Sequence, residues 1–110
     1  WLNRTFLAMT PSEKRLVAQA RRGVNAVAKL QEMHMNSYGT YTDDIKRLAA
    51  MSGDVPRFRR ELMDSIDPAS LVIATDGSEY VVTAKAKNWR KTEVEVSSRV
   101  DARDPGELAP

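Results

Sequence analysis

The sequence predicts an α+β fold in which one long N-terminal helix lies on a three- or four-stranded antiparallel sheet. Three observations predict it. Residues 12–37 carry an amphipathic pattern of helical period, the pattern turns twofold after Ser70, and Gly39 and Asp76-Gly77 punctuate the chain where a helix stop and a hairpin turn are needed.

The elements follow in order. Residues 1–9 mix apolar and polar side chains without a period, and Thr10-Pro11-Ser12-Glu13 then supplies helix-start chemistry. At about 100° per residue, Leu16, Val17, Ala20, Val24, Val27, Ala28, Leu30, Met35 and Tyr38 share one broad sector with Gly23, Gln31 and His34. Lys14, Arg15, Arg21, Arg22, Asn25, Lys29, Glu32 and Asn36 take the other side, so the helix over 11–38 is expected to bury one stripe and solvate the rest. Gly39 suits the left-handed position after a last turn. In the 39–69 connection, Thr42-Asp43-Asp44 can cap a short helix over 43–51 with Ile45 and Leu48 inward. A further helix is expected over 57–66, with Phe58, Leu62 and Ile66 on its inner stripe.

Within 70–100 the chain reads as a meander of three strands, about 70–75, 79–87 and 93–100. Asp76-Gly77 predicts a two-residue turn, which places Thr75 opposite Ser78, Ile73 opposite Tyr80 and Leu71 opposite Val82. A second turn within 88–92 sets Lys87 opposite Glu93, Lys85 opposite Glu95, Ala86 opposite Val94 and Ala84 opposite Val96. Both hairpins turn Leu71, Ile73, Tyr80, Val82, Ala84, Val94, Val96 and Val100 to one face. Residues 101–110 read as a loose tail, and the 110 residues together as a single domain.

Composition narrows the chemistry. Hydrophobic residues make up 42% and charged residues 29%, a globular balance, and 17 Lys and Arg face 15 Asp and Glu, so a pI near 9.1 reflects a net charge of only +2. That excess argues weakly for a nucleic-acid partner. The absence of cysteine removes disulfides and thiolate chemistry. No stretch reaches the roughly 18 apolar residues of a membrane span and no signal-peptide pattern opens the chain. It begins at Trp1 and not at methionine, which keeps an upstream anchor in view.

No catalytic, cofactor or metal site is predicted. His34 is the sole histidine, which excludes His dyads and two-His metal sites, and it reads as a structural residue at the helix end. Asp43-Asp44 with Asp101 and Asp104 fit no calcium-loop spacing, and capping accounts for the first pair. Three basic clusters stand out: Arg21-Arg22, Arg57-Arg59-Arg60, and Lys85, Lys87, Arg90 and Lys91 around Trp89. The last could hold a phosphate backbone and stack a base, although Glu93 and Glu95 neutralise part of it. Enzymatic activity is not expected.

The run Leu30-Gln31 through Tyr38-Gly39-Thr40-Tyr41-Thr42-Asp43-Asp44-Ile45-Lys46-Arg47-Leu48 resembles the helix end and junction of type IV pilins and type II secretion pseudopilins. Tyr80-Val81-Val82-Thr83-Ala84-Lys85-Ala86 is similar to the central strand of that family's sheet. About 20 residues carry the resemblance specifically, and its layout spans roughly 11–100. It implies a non-enzymatic subunit of a pilus or pseudopilus. In that family a hydrophobic helix half anchors in the inner membrane and bundles with other pilin or pseudopilin subunits, while the globular part faces the periplasm or exterior. The anchor, its processing site and its N-terminal glutamate do not occur in this sequence, nor does the C-terminal cysteine pair frequent in pilins. The missing pair inclines the resemblance toward a pseudopilin or minor pilin. Two alternatives stand beside it. One is a DNA-binding minor-pilin-like module using Lys85, Lys87, Trp89, Arg90 and Lys91, and the other an extracytoplasmic sensor or adaptor with a ligand-sized pocket.

Overall fold

Thr10 starts the first helix by two reciprocal bonds. Its side chain accepts from the Glu13 amide while the Glu13 carboxylate accepts from the Thr10 amide, and Pro11 fills a position whose N–H needs no partner. The computed structural model describes residues 9–98 and carries this helix, α1, without interruption over Pro11–Tyr38. It stops where expected: Gly39 takes φ +76° and its N–H bonds the Met35 carbonyl at 2.8 Å. Two capped helices follow. Asp44 accepts from Lys46 and Arg47 at the start of α2 (Ile45–Met51), and Asp54 accepts from Arg57 at the start of α3 (Val55–Ser65), with Pro56 in its first turn.

Three strands complete the order: β1 (Asp67–Thr75), β2 (Tyr80–Lys85) and β3 (Glu93–Ser97), antiparallel with β2 central. Among the described residues the sheet thus has three strands and no fourth. The α1 stripe lies on β2 and β3, and α2 and α3 close the core around it. Val17, Ala20, Val24 and Val27 from α1, Leu48 from α2, Phe58 and Leu62 from α3, Ile66, and Tyr80, Val82, Ala84, Val94 and Val96 from the sheet form one buried cluster. Each fully buried Val, Leu or Ile in it contributes about 1.5–3 kcal/mol. Leu71 and Ile73 pack against it from the edge strand.

Both hairpin registers differ from expectation by two residues. Thr75 pairs with Tyr80 and Ile73 with Val82, while Lys85 pairs with Glu93, Ala84 with Val94 and Val82 with Val96. The reason is side-chain capture of turn amides. Asp76 Oδ1 accepts from the Ser78 and Glu79 amides, and Asn88 Oδ1 accepts from the Thr92 amide, so the first turn widens beyond the two-residue form and the second beyond 88–92. Because side chains alternate with a period of two, a shift of two keeps the predicted inner residues Leu71, Ile73, Tyr80, Val82, Ala84, Val94 and Val96 on one face. Lys85 still meets a glutamate, but Lys87 does not meet Glu93.

Other boundaries move for local reasons. β1 begins at Asp67, ahead of Pro68, because an edge strand tolerates a missing donor; its pairing is irregular between Asp67 and Val72, where the Ser70 hydroxyl accepts from the Lys85 amide and donates to the Asp67 carbonyl. Tyr38, expected on the inner stripe, is 61% exposed: it lies past the sheet, its ring 4.7 Å from that of His34 and under the Arg47 guanidinium. Glu13, expected only as a first-turn acid, is buried. Val100, Asp101, Asp104 and the 101–110 tail lie outside the described residues.

Candidate functional site

The junction after α1 is built of side chains that serve the backbone. Gln31, fully buried, donates to the Thr42 carbonyl at 2.6 Å and accepts from the Thr42 amide at 3.0 Å, like one rung of a sheet. His34 is buried between the Thr40 carbonyl and Arg47, whose Nε–H donates to Nε2 at 3.3 Å. With Nε2 accepting, Nδ1 is the protonated nitrogen and donates to Thr40. Thr40 and Tyr41 both reach the first hairpin through the Gly77 carbonyl, and Tyr41 meets Tyr80 edge-on at 4.7 Å. Both nitrogens of His34 are thereby spent on holding the junction, which is the structural role expected of it.

At the opposite end of α1 the second hairpin turn is tied to the helix start. Asn88, 1% exposed, donates to Glu13 Oε2 at 3.4 Å and to Thr92 Oγ1 at 2.9 Å, and Arg90 Nε lies 3.4 Å from the same Glu13 oxygen. Sequence reasoning missed this cluster of a buried acid, a buried amide and a guanidinium at the surface. Its members lie 75 residues apart, and only the hairpin spacing and the polarity of Asn88 hinted at it.

That cluster also divides the predicted basic group. Lys85 stands at the end of β2 opposite Glu93, and Lys87, Trp89, Arg90 and Lys91 sit on the turn. Trp89 is 76% exposed, with the Arg90 guanidinium 4.9 Å from its ring centroid. Arg90 is therefore committed to Glu13 and Trp89, while no ion pair among the described residues engages Lys85, Lys87 or Lys91.

Elsewhere the candidates are sparse. An open groove of about 360 Å³ runs between α1 and α3, lined by Gln19, Arg22, Ala26, Phe58, Leu62 and Ser65 among others. No buried side-chain polar atom lacks a partner among the described residues, so none points unsatisfied into that groove. No group of three His, Asp or Glu residues suited to a metal occurs among the described residues, and Asp44 is used as a helix cap. No described helix is long and apolar enough to cross a membrane. No family model, curated protein or solved structure matches this chain.

Proposed function

We propose that this chain is the globular part of an envelope filament subunit, a minor pilin or pseudopilin of a pilus or type II secretion system, acting through packing between subunits. One observation carries the reading. α1 runs unbroken for 28 residues, about 42 Å, and gives only one stripe to its own sheet. Arg22, Asn25, Ala26, Lys29 and Met33 remain exposed along its other side. A helix this long, covered on one side only, is suited to serve as a rod against which further subunits pack. The junction adds support, because Gln31, His34, Thr40 and Tyr41 fasten the end of the rod to α2 and the first hairpin. In this reading an apolar segment upstream of Trp1 anchors the subunit in the inner membrane, with the globular part on the periplasmic or outer side.

The coding sequence immediately upstream of Trp1 tests it. About 20 apolar residues behind a glycine cleavage site are expected. A cytosolic start codon directly before Trp1 sinks the reading. In cells, a photo-crosslinker at Asn25 of the full-length protein is expected to join it to another anchored subunit of the same assembly.

A further inference from the structure

The turn that follows β2 is basic and carries Trp89, at 76% the most exposed large hydrophobic side chain among the described residues, and nothing in the filament reading uses it. Within 13–15 and 85–93 there are six basic side chains, Lys14, Arg15, Lys85, Lys87, Arg90 and Lys91, against two acidic ones, Glu13 and Glu93, whereas the whole chain carries only +2. The two segments are joined by the Glu13 contacts to Asn88 and Arg90, so this charge collects at the end of the molecule where α1 begins. Trp89 projects from the middle of it, 76% exposed.

The turn is held rigid. Asn88 clasps Thr92 by two bonds, the Lys91 amide donates to the Asn88 carbonyl at 3.0 Å, and Lys91 takes φ +51°, a left-handed conformation that lysine seldom adopts. An exposed indole on a fixed turn, ringed by lysines, has the chemistry of an interfacial anchor: an amphipathic ring that sits at headgroup depth, with cations that reach the phosphates. From this we infer that the 87–91 turn docks on an anionic phospholipid surface, with Trp89 entering the interface and Lys87 and Lys91, aided by Lys85, neutralising headgroups.

The same residues offer less to a nucleic acid. The Arg90 guanidinium already covers one face of Trp89 and its Nε lies 3.4 Å from Glu13, so its charge is partly neutralised and one stacking face is taken. A single half-covered ring is a poor platform for successive bases, which such proteins stack on several aromatics.

Vesicles decide it, using the 110-residue chain with Trp1→Phe so that Trp89 is the sole indole. The chain should co-sediment with phosphatidylglycerol–phosphatidylcholine vesicles at low salt but not with phosphatidylcholine alone, and Trp89 emission should shift to the blue on binding. At roughly fivefold per lysine near the surface, the Lys87→Ser, Lys91→Gly double variant should bind about 25-fold more weakly. A circular-dichroism spectrum matching the parent shows that the fold survives, and glycine suits the backbone at position 91. Trp89→Ser should weaken binding without altering its salt dependence. Failure to bind anionic vesicles overturns the inference, as does equal binding to neutral ones or indifference to these substitutions. Turn-dependent binding of single-stranded or duplex DNA as tight as that to vesicles overturns it too. None of these outcomes depends on whether an anchor precedes Trp1.

Discussion

Asn88 shows how one polar side chain can set a whole end of the molecule. It is buried to 1% and serves Glu13, the Thr92 amide and the Thr92 hydroxyl together. Asn88→Ala leaves the Glu13 carboxylate and the Thr92 amide short of partners, at a cost of about 1–3 kcal/mol, which urea unfolding should read as a lower midpoint with an unchanged slope. An unchanged midpoint would mean that water replaces the amide and that the turn is not structural. Asp76, in the other hairpin, is exposed and makes a prediction of a different kind. Hydrogen bonds from the Ser78 amide and hydroxyl and from the Glu79 amide favour its charged form and hold its carboxyl below the usual aspartate range. The unfolded chain, with the ordinary value, takes up the proton first as pH falls. The stabilisation is therefore complete above the ordinary aspartate value and is lost on acidification through the lowered native one. A carbon-detected titration should place the Asp76 midpoint below the ordinary aspartate value, and Asp76→Asn should flatten the acid limb of the stability profile.

At the level of elements, α1 and its stop were legible because cap, stripe and glycine agree within a few residues, and α3 because Phe58, Leu62 and Ile66 repeat at helical spacing between two prolines. The hairpin registers were not. Asp76-Gly77 carries the signature of a tight turn, but whether an Asp or Asn side chain instead captures amides two to four residues on is decided by the surrounding fold, as it is for Asn88 and Thr92. The cap role of Glu13 was legible but its burial was not, since helical periodicity cannot reveal the distant guanidinium that makes that burial tolerable. The stripe itself is tested by Val27→Asp, which puts an unpaired carboxylate at a fully buried position and should abolish the cooperative transition. Gly23 tests the α1–α3 crossing more finely. An exposed helical glycine changed to alanine gains roughly 0.5–1 kcal/mol, but here the added carbon would lie 2.4 Å from Ser65 Oγ, 3.3 Å from its Cβ and 3.4 Å from Ile66 Cγ2. Gly23→Ala should therefore destabilise, and Ser65→Ala in the same chain should recover most of the loss. Additivity of the two changes in a double-mutant cycle would refute the close approach.

Across the whole molecule, α1 is fastened to the sheet at both ends and along its length. Its start is tied to the turn after β2 through Glu13, Asn88 and Arg90, its middle lies in the core, and the chain beyond its end reaches the Gly77 carbonyl through Thr40 and Tyr41. β2 therefore runs opposite to α1, with Tyr80 near the helix end and Asn88 near the helix start. This arrangement leaves no element able to melt alone: releasing the helix start exposes Glu13, releasing its end strips Gln31 and Thr42 of their mutual bonds, and either event opens the cluster that the strands share. The expectation is one transition in urea. Far-ultraviolet dichroism, which follows α1, and near-ultraviolet dichroism, to which the Tyr41–Tyr80 pair contributes, should superimpose. Gln31→Leu sharpens the test, since it puts an apolar residue of similar size at a fully buried site yet orphans the Thr42 amide and carbonyl. It should lower both curves together, by about 1–3 kcal/mol. Curves that separate in this variant, with the tyrosine signal lost before the helix, would show that α1 persists without its sheet. The rod would then be an independent element and not the spine of a single unit.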